Sequence, residues 1–155
     1  MKRKKELEPF SRDHYLGLVA SRNLILHPTP DSLEKFLELW REEMSDHFYE
    51  EERLLGPLAS PSMREQMISE HDEIRALVAS AKQGRTSAPC LQKLGNKVYA
   101  HIRWEERTLF GAIEISSDLS AIAEDAEAME KRRQNSPLNP QRAEQVRRRE
   151  TKSSE

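Results

Sequence analysis

Four of the five histidines lie on the predicted inward faces of four successive helices. They are His14, His47, His71 and His101. The steps between them are 33, 24 and 30 residues, about one helix and one loop each time. Around each histidine the apolar residues recur at steps of three and four, as on the buried face of a helix. The pattern therefore predicts four packed helices that each turn one histidine toward a shared interior.

Turn and capping residues predict where the helices begin and end. Ser11 is a suitable N-cap for the first helix, and residues 31–34 resemble a capping box at the start of the second. Ser60 followed by Pro61 predicts the start of the third. The predicted helices span about 11–26, 31–55, 61–83 and 89–115, with a weakly amphipathic fifth segment to about 131. Five glycines and few β-branched residues argue against a sheet.

These observations predict an all-α fold in three parts. Residues 10–115 are predicted to form an up-down-up-down four-helix bundle, residues 116–133 a helical extension, and residues 134–155 a loose, charged, disordered tail. Residues 131–155 carry eight Lys/Arg and three Glu, against 17 Lys/Arg and 24 Asp/Glu in the rest of the chain. No apolar run approaches the roughly 20 residues of a membrane helix. Cys90 is the only cysteine, which favours a reducing cytoplasm.

Two of the histidines are followed by a glutamate at a spacing that suits metal binding. His47 and Glu51, like His101 and Glu105, are four residues apart and share one helix face. A buried carboxylate is costly without a partner, and a metal ion supplies one. Because a carboxylate has two oxygens, two such helices facing each other favour a dinuclear site. A lone inward histidine is usually a core residue, but four on separate helices predict that all contribute nitrogens.

A count of ligands indicates what this site would bind. Two six-coordinate ions offer about twelve positions, of which two bridging glutamates, four histidines and a bridging oxygen fill all but roughly two. Those open positions suit dioxygen, peroxide or nitric oxide. Mixed imidazole and carboxylate ligands favour iron over manganese or zinc.

Other polar residues near the motifs are interpreted as structural. His27 lies thirteen residues after His14, about 20 Å along the same helix, and is therefore excluded from the site. Glu50, Glu52 and Glu106 flank the two central glutamates but lie off the helix face that carries them. They are predicted to lie on the surface, and the alternative is that one of them supports the metal ligands or serves as a ligand itself.

The order of these motifs resembles the hemerythrin-like (HHE cation-binding) domains. The segments around His47–Glu51 and His101–Glu105 are similar to that family's two core motifs, and those around His14 and His71 to its first and third segments. The resemblance covers about residues 10–115. It implies a diiron centre, with an oxo or hydroxo bridge, as the cofactor. The ligands that it implies are His14, His47, Glu51, His71, His101 and Glu105.

One departure from the oxygen-carrying members concerns the third helix. Those proteins have a second histidine four residues after the first, where this chain has Arg75. The resemblance then implies one nitrogen ligand fewer, which argues against simple oxygen carriage. Arg75 itself is interpreted either as an edge residue or as a neighbour of the open positions.

Three functions remain open on the sequence alone. The leading one is a non-haem diiron protein that binds or senses dioxygen, nitric oxide or iron itself, with no separate catalytic residues. An alternative is an oxidative enzyme such as a peroxide-removing activity at the same centre. A third is a metal-stapled interaction domain that recruits a protein partner through residues 131–155. The basic runs lack interleaved aromatics, which argues against nucleic acid as a partner.

Overall fold

A computed structural model describes residues 2–140, and all regular structure among them is helical. We number five helices in chain order. They are α1 (Glu8–Leu26), α2 (30–55), α3 (Pro61–Lys82), α4 (88–116) and α5 (Ala123–Gln134). Short 3-10 turns occupy Lys5–Leu7, Gly56–Leu58 and Leu119–Ile122. This arrangement agrees with a hemerythrin-like helical bundle, while the predicted alternation of helix direction stays a prediction.

The starts of the helices follow local capping chemistry, with two differences from expectation. α2 begins at Pro30, and the Thr29 hydroxyl accepts a hydrogen bond from the Ser32 N–H at 3.2 Å. The predicted capping box at residues 31–34 is therefore wrong, because proline suits the first helical position and moves the cap to Thr29. α1 begins at Glu8, ahead of the predicted cap Ser11. The predicted cap Ser60 is confirmed for α3.

Two of the long helices contain π-helical turns that spacing alone did not predict. In α2 they are Trp40–Met44 and Glu51–Leu55, and in α4 Glu105–Leu109. Two of these turns therefore start at the two central glutamates. A π-helical turn holds an extra residue and is frequently found at functional sites.

The apolar core is divided into two clusters by the level of the four histidines. The Phe36 cluster includes Leu24, Phe36, Ile74 and Leu94. The Phe110 cluster includes Phe10, Leu55, Met67 and Phe110. The most extensive helix contact joins α1 to α4, where Gly95 lets the two backbones approach closely. The four histidines are thus enclosed by apolar layers above and below, which exclude water from them.

The segment that follows the bundle folds back onto it. Met129 of α5 is fully buried, and Leu138 is 3% exposed within the Phe36 cluster. The predicted division at residues 116 and 134 stays a prediction, and most of the predicted tail (141–155) lies outside the described residues. None of the helices in residues 2–140 is both long and apolar enough to cross a membrane.

Candidate metal centre

All six predicted ligands meet in the interior of the bundle, one histidine from each of the helices α1 to α4. Their relative exposure does not exceed 3% for any member. They are His14, His47, Glu51, His71, His101 and Glu105. Six ionisable side chains without water would be costly to bury in an apolar core unless each met an opposite charge or a metal ion.

The first ligand group lies between α1 and α2. His47 Nε2 lies 3.1 Å from Glu51 Oε2, and His14 Nε2 lies 3.1 Å from Glu105 Oε1. One nitrogen or oxygen from each of these four residues lies within 4.8 Å of the other three. A single ion placed among them would meet two imidazoles and two carboxylates.

The second ligand group lies between α3 and α4 and uses the same two glutamates. His71 Nε2 is 3.2 Å from Glu51 Oε1, and His101 Nε2 is 3.2 Å from Glu105 Oε2. Each glutamate therefore turns one oxygen toward each group. Two carboxylates in this arrangement would be able to bridge a pair of ions.

The hydrogen bonding of these atoms tests whether they fit a metal. Among the described residues, most of the nitrogens and oxygens that face the middle of the centre are buried without a hydrogen-bond partner. They are the Nε2 atoms of His47, His71 and His101, both carboxylate oxygens of Glu51, and Oε2 of Glu105. Buried polar atoms nearly always make hydrogen bonds, so a cluster of nitrogens and oxygens that converge without them is what a metal ion would need. The residues present therefore fit a dinuclear metal site.

A ring of four outer carboxylates orients the histidines. His14 Nδ1 donates to Glu106 at 2.9 Å and His47 Nδ1 to Asp13 at 2.9 Å. Each partner comes from the neighbouring helix, so α4 supports α1 and α1 supports α2. Such carboxylates fix the imidazole tautomer and leave Nε2 free for a metal.

The ring closes through the other two histidines. His71 Nδ1 donates to Glu52 at 2.7 Å, and His101 Nδ1 donates to Glu70 at 2.7 Å. Here α2 supports α3, and α3 supports α4. Every histidine of the centre thus has its ring orientation set by a helix other than its own.

Arginines hold three of the four outer carboxylates in turn. Arg133 Nε donates to Asp13 at 2.9 Å, Arg75 lies 2.9 Å from Glu52, and Arg3 lies 3.5 Å from Glu106. Arg75 also stacks over the Tyr49 ring at 4.7 Å. Arg75 therefore contacts Glu52, the carboxylate that binds His71 Nδ1.

Without metal the centre is a network of imidazolium and carboxylate groups. Burial alone would lower the pKa of His47, but Glu51 and Asp13 raise it to about 9. Burial likewise opposes protonation of His71, while Glu105, Glu51 and Glu52 raise its pKa to about 11. Burial and the charge of Glu105 would raise the pKa of Glu51, yet contacts with His47 and His14 lower it to about 2.

These shifts predict how the metal-free protein responds to pH. A raised histidine pKa stabilises the fold fully below pH 6.5, and for His47 this stabilisation is lost as the pH rises through about 9. The lowered pKa of Glu51 stabilises the fold above 4.5, and this is lost as pH falls toward 2. We expect chelator-treated protein to lose several degrees of Tm between pH 6.5 and pH 9.5. Metal-loaded protein should instead lose stability on acidification, because protons compete with the ions. A metal-free Tm that does not fall between those pH values would contradict the assignment.

A small cavity adjoins the first ligand group. Its volume is about 10 Å³, near the lower limit for one water molecule. His14, His47 and Glu105 line it together with apolar residues, which are Leu39, Met44, Phe48 and Ile102. In the second group the Phe48 ring stacks on His71 with 4.0 Å between centroids and covers that imidazole. This cavity therefore lies beside His14 and His47, on the side of the first ligand group.

The surface interpretation of the flanking glutamates is wrong. Glu52 and Glu106 accept hydrogen bonds from histidine Nδ1 atoms. Glu50 is 8% exposed and accepts a hydrogen bond from Arg133. The reason is that a residue beside the inward face of a helix still faces the neighbouring helix in a bundle. His27, in contrast, is exposed at the end of α1, as expected for a residue outside the site.

Sequence reasoning also missed several supporting residues. Asp13 and Glu70 immediately precede His14 and His71, so adjacency to a ligand was the available signal. Glu43 is 2% exposed, lines the cavity and lies one helical turn before His47 on the same face. Its spacing of four residues was the signal that could have indicated it.

Comparison with known proteins agrees with this geometry. A family model described as the hemerythrin HHE cation-binding domain matches residues 11–113. Searches of curated proteins and of solved structures find no match to the chain. The family match contains all six residues of the two ligand groups. It covers α2 and α3 in full, α1 from Ser11 and α4 as far as Ile113. On this match the chain belongs to the hemerythrin HHE cation-binding domain family.

Proposed function

We propose that the protein binds two iron ions, one in each ligand group. His14 and His47 hold one ion, and His71 and His101 hold the other. Glu51 and Glu105 bridge the two. One observation supports this proposal above all. Each glutamate places one carboxylate oxygen in each ligand group, 3.1–3.2 Å from the nearest histidine nitrogen.

We further propose that the bound pair binds or senses a small molecule such as dioxygen or nitric oxide. Iron supplies redox chemistry and open coordination positions when it is bound. Because Arg75 stands in place of a further histidine, each group has two imidazoles and two carboxylate oxygens. The small apolar cavity beside His14 and His47 favours a ligand of few atoms on that side.

The chain's own residues prepare this site before any ligand enters. The outer carboxylates hold each imidazole with Nε2 turned inward. The apolar walls of the cavity exclude water and strengthen electrostatic interactions inside it. Glu43 adds a buried carboxylate at the cavity wall, where Ser136 donates to it at 2.5 Å.

The proposal includes an alternating direction for α1 to α4. The Phe36 cluster is formed by Leu24 after His14 and Ile74 after His71. In α2 and α4 its members Phe36 and Leu94 precede their histidines. α1 and α3 therefore run from the level of the histidines toward this cluster, while α2 and α4 run from the cluster toward the histidines. This supports antiparallel neighbouring helices.

Metal analysis with ligand binding tests the proposed function. We expect purified protein supplied with ferrous iron to hold two ions per chain and to show absorption bands of a bridged ferric pair in air. Nitric oxide added to the reduced protein should change that spectrum at one equivalent per chain. Metal content near zero in folded protein would overturn the proposal of two bound ions. An optical spectrum that neither dioxygen nor nitric oxide changes would overturn the proposal that the pair binds such a ligand.

Three further measurements separate the alternatives. Turnover of hydrogen peroxide faster than by free iron would favour the enzymatic function over sensing. Partner binding that depends on residues 131–155 would favour the interaction domain. Loading that tracks the iron supplied, with no response to either gas, would indicate that iron itself is sensed.

A further inference from the structure

A buried arginine from α5 reaches the metal centre from outside the family match. Arg133 is 8% exposed, and its Nε donates to Asp13 Oδ1 at 2.9 Å. The other oxygen of Asp13, Oδ2, accepts from His47 Nδ1 at 2.9 Å. A continuous chain of contacts therefore leads from Arg133 through Asp13 to a ligand of the first group.

Arg133 holds a second buried carboxylate with the other side of its guanidinium. Its NH2 group donates to Glu50 at 2.8 Å, and the Glu50 side chain is 10% exposed. The planar guanidinium carries several donors in a fixed geometry, which a lysine ammonium does not reproduce. Arg133 thereby sets the position of Asp13 relative to α2, which carries both Glu50 and His47.

The residues that follow α5 continue over the same side of the bundle. Ser136 donates to Glu43 at 2.5 Å, and Glu43 lines the cavity beside His14 and His47. Leu138 is 3% exposed and packs in the Phe36 cluster, which also contains the cavity residue Leu39. Residues 133–138 thus contact three buried carboxylates around the first ligand group, those of Asp13, Glu43 and Glu50, and add Leu138 to the Phe36 cluster.

The second ligand group takes no support from α5. Glu52, which supports His71, is held by Arg75 of α3. Glu70, which supports His101, accepts from Gln66 of the same helix at 3.0 Å. Within residues 2–140, support from beyond residue 113 is therefore found for the first ligand group and not for the second.

We propose that residues 133–138 are an integral part of the metal centre, in which Arg133 is a positioning residue for His47 through Asp13. The segment secures the ion of the first group and leaves the ion of the second group unaffected. This inference rests on the proposed binding of two metal ions. It predicts an asymmetry between the two ions that family membership alone does not provide.

Neighbouring arginines provide a matched test in the full-length chain. Arg132 also pairs with Glu50, but its side chain is 53% exposed, and among the described residues it makes no hydrogen bond to Asp13. We expect Arg133→Gln to bind one ion as tightly as the wild type and the other about 10- to 100-fold more weakly. Arg132→Gln should bind both ions as the wild type does. Native mass spectrometry during titration with cobalt(II) counts the ions on each chain.

The outcome distinguishes positioning from a general loss of stability. Equal weakening of both ions in Arg133→Gln, or the same result in both variants, would overturn the inference. If Arg133→Gln does not fold by circular dichroism, Arg133→Lys keeps the buried charge and should still weaken one ion only. Wild-type affinity for both ions in a folded Arg133→Lys would then overturn it. A folded wild-type chain that takes up no cobalt would overturn the proposed function itself, and this inference with it.

Discussion

Replacing Glu51 with alanine is expected to abolish tight binding of both metal ions rather than one. Its two oxygens lie 3.1 Å from His47 and 3.2 Å from His71, which belong to different ligand groups. Removal of the side chain deletes one ligand from each ion and the bridge between them. Binding and folding are coupled at metal sites, so the Tm gained on adding metal should also disappear. Metal content and Tm with and without iron measure both effects.

Three other variants make this expectation specific. Glu51→Gln keeps the shape of the side chain but removes its charge, and should also fail to hold the pair. His101→Ala should mainly lose the ion of the second group, because His101 belongs to that group alone. His27→Ala should keep full metal content, because His27 is exposed at the end of α1. Retention of one tightly bound ion by Glu51→Ala would show that the glutamate does not bridge.

The six central residues could be predicted because helical periodicity records which side chains face inward. Each histidine lies in an apolar stripe with a period near 3.6, so its burial follows from its own helix. No knowledge of which helix packs on which was needed to place His14 or His101 inside. The glutamates followed in the same way, because a spacing of four residues puts Glu51 beneath His47.

The outer ring could not be predicted, because its contacts join different helices. Asp13 is next to His14 in the sequence but supports His47, 34 residues away. Glu70 is next to His71 but supports His101. A residue adjacent to a ligand is turned about 100° from it around the helix, so it points to a neighbour whose identity depends on the packing order. A single helix pattern cannot tell this position from a solvated face.

Buried charges in the C-terminal extension were hidden for a related reason. Residues 131–133 read as one basic run, yet Arg132 is largely exposed while Arg133 is buried between Asp13 and Glu50. The distinction arises from how α5 packs on α1 and α2. The π-helical turns at Glu51 and Glu105 could not be predicted either. They change the backbone hydrogen bonds after each glutamate, while the four-residue spacing from histidine to glutamate stays as in an ordinary helix.

Gly95→Ala is expected to destabilise the bundle strongly, because α1 and α4 touch through their backbones there. A Cβ at this position would lie 2.6 Å from the Ser21 carbonyl oxygen and 2.9 Å from Leu24 Cβ. Neither atom lies at the end of a flexible side chain, so the two helices must separate. Overpacking of this kind costs about 3 kcal/mol, offset by roughly 1 kcal/mol from alanine's better helix propensity. The net loss of about 2 kcal/mol should lower the Tm by roughly 4–8 °C.

Gly111→Ala is the matched control, because it makes the same chemical change in the same helix. A Cβ at Gly111 meets nothing within 4 Å, so only the gain in helix propensity remains. That variant should be stabilised by up to about 1 kcal/mol. Because α1 carries both His14 and Asp13, its separation from α4 should also weaken metal binding in Gly95→Ala but not in Gly111→Ala. Equal Tm values and equal metal affinities for the two variants would show that the close approach at Gly95 does not hold the centre together.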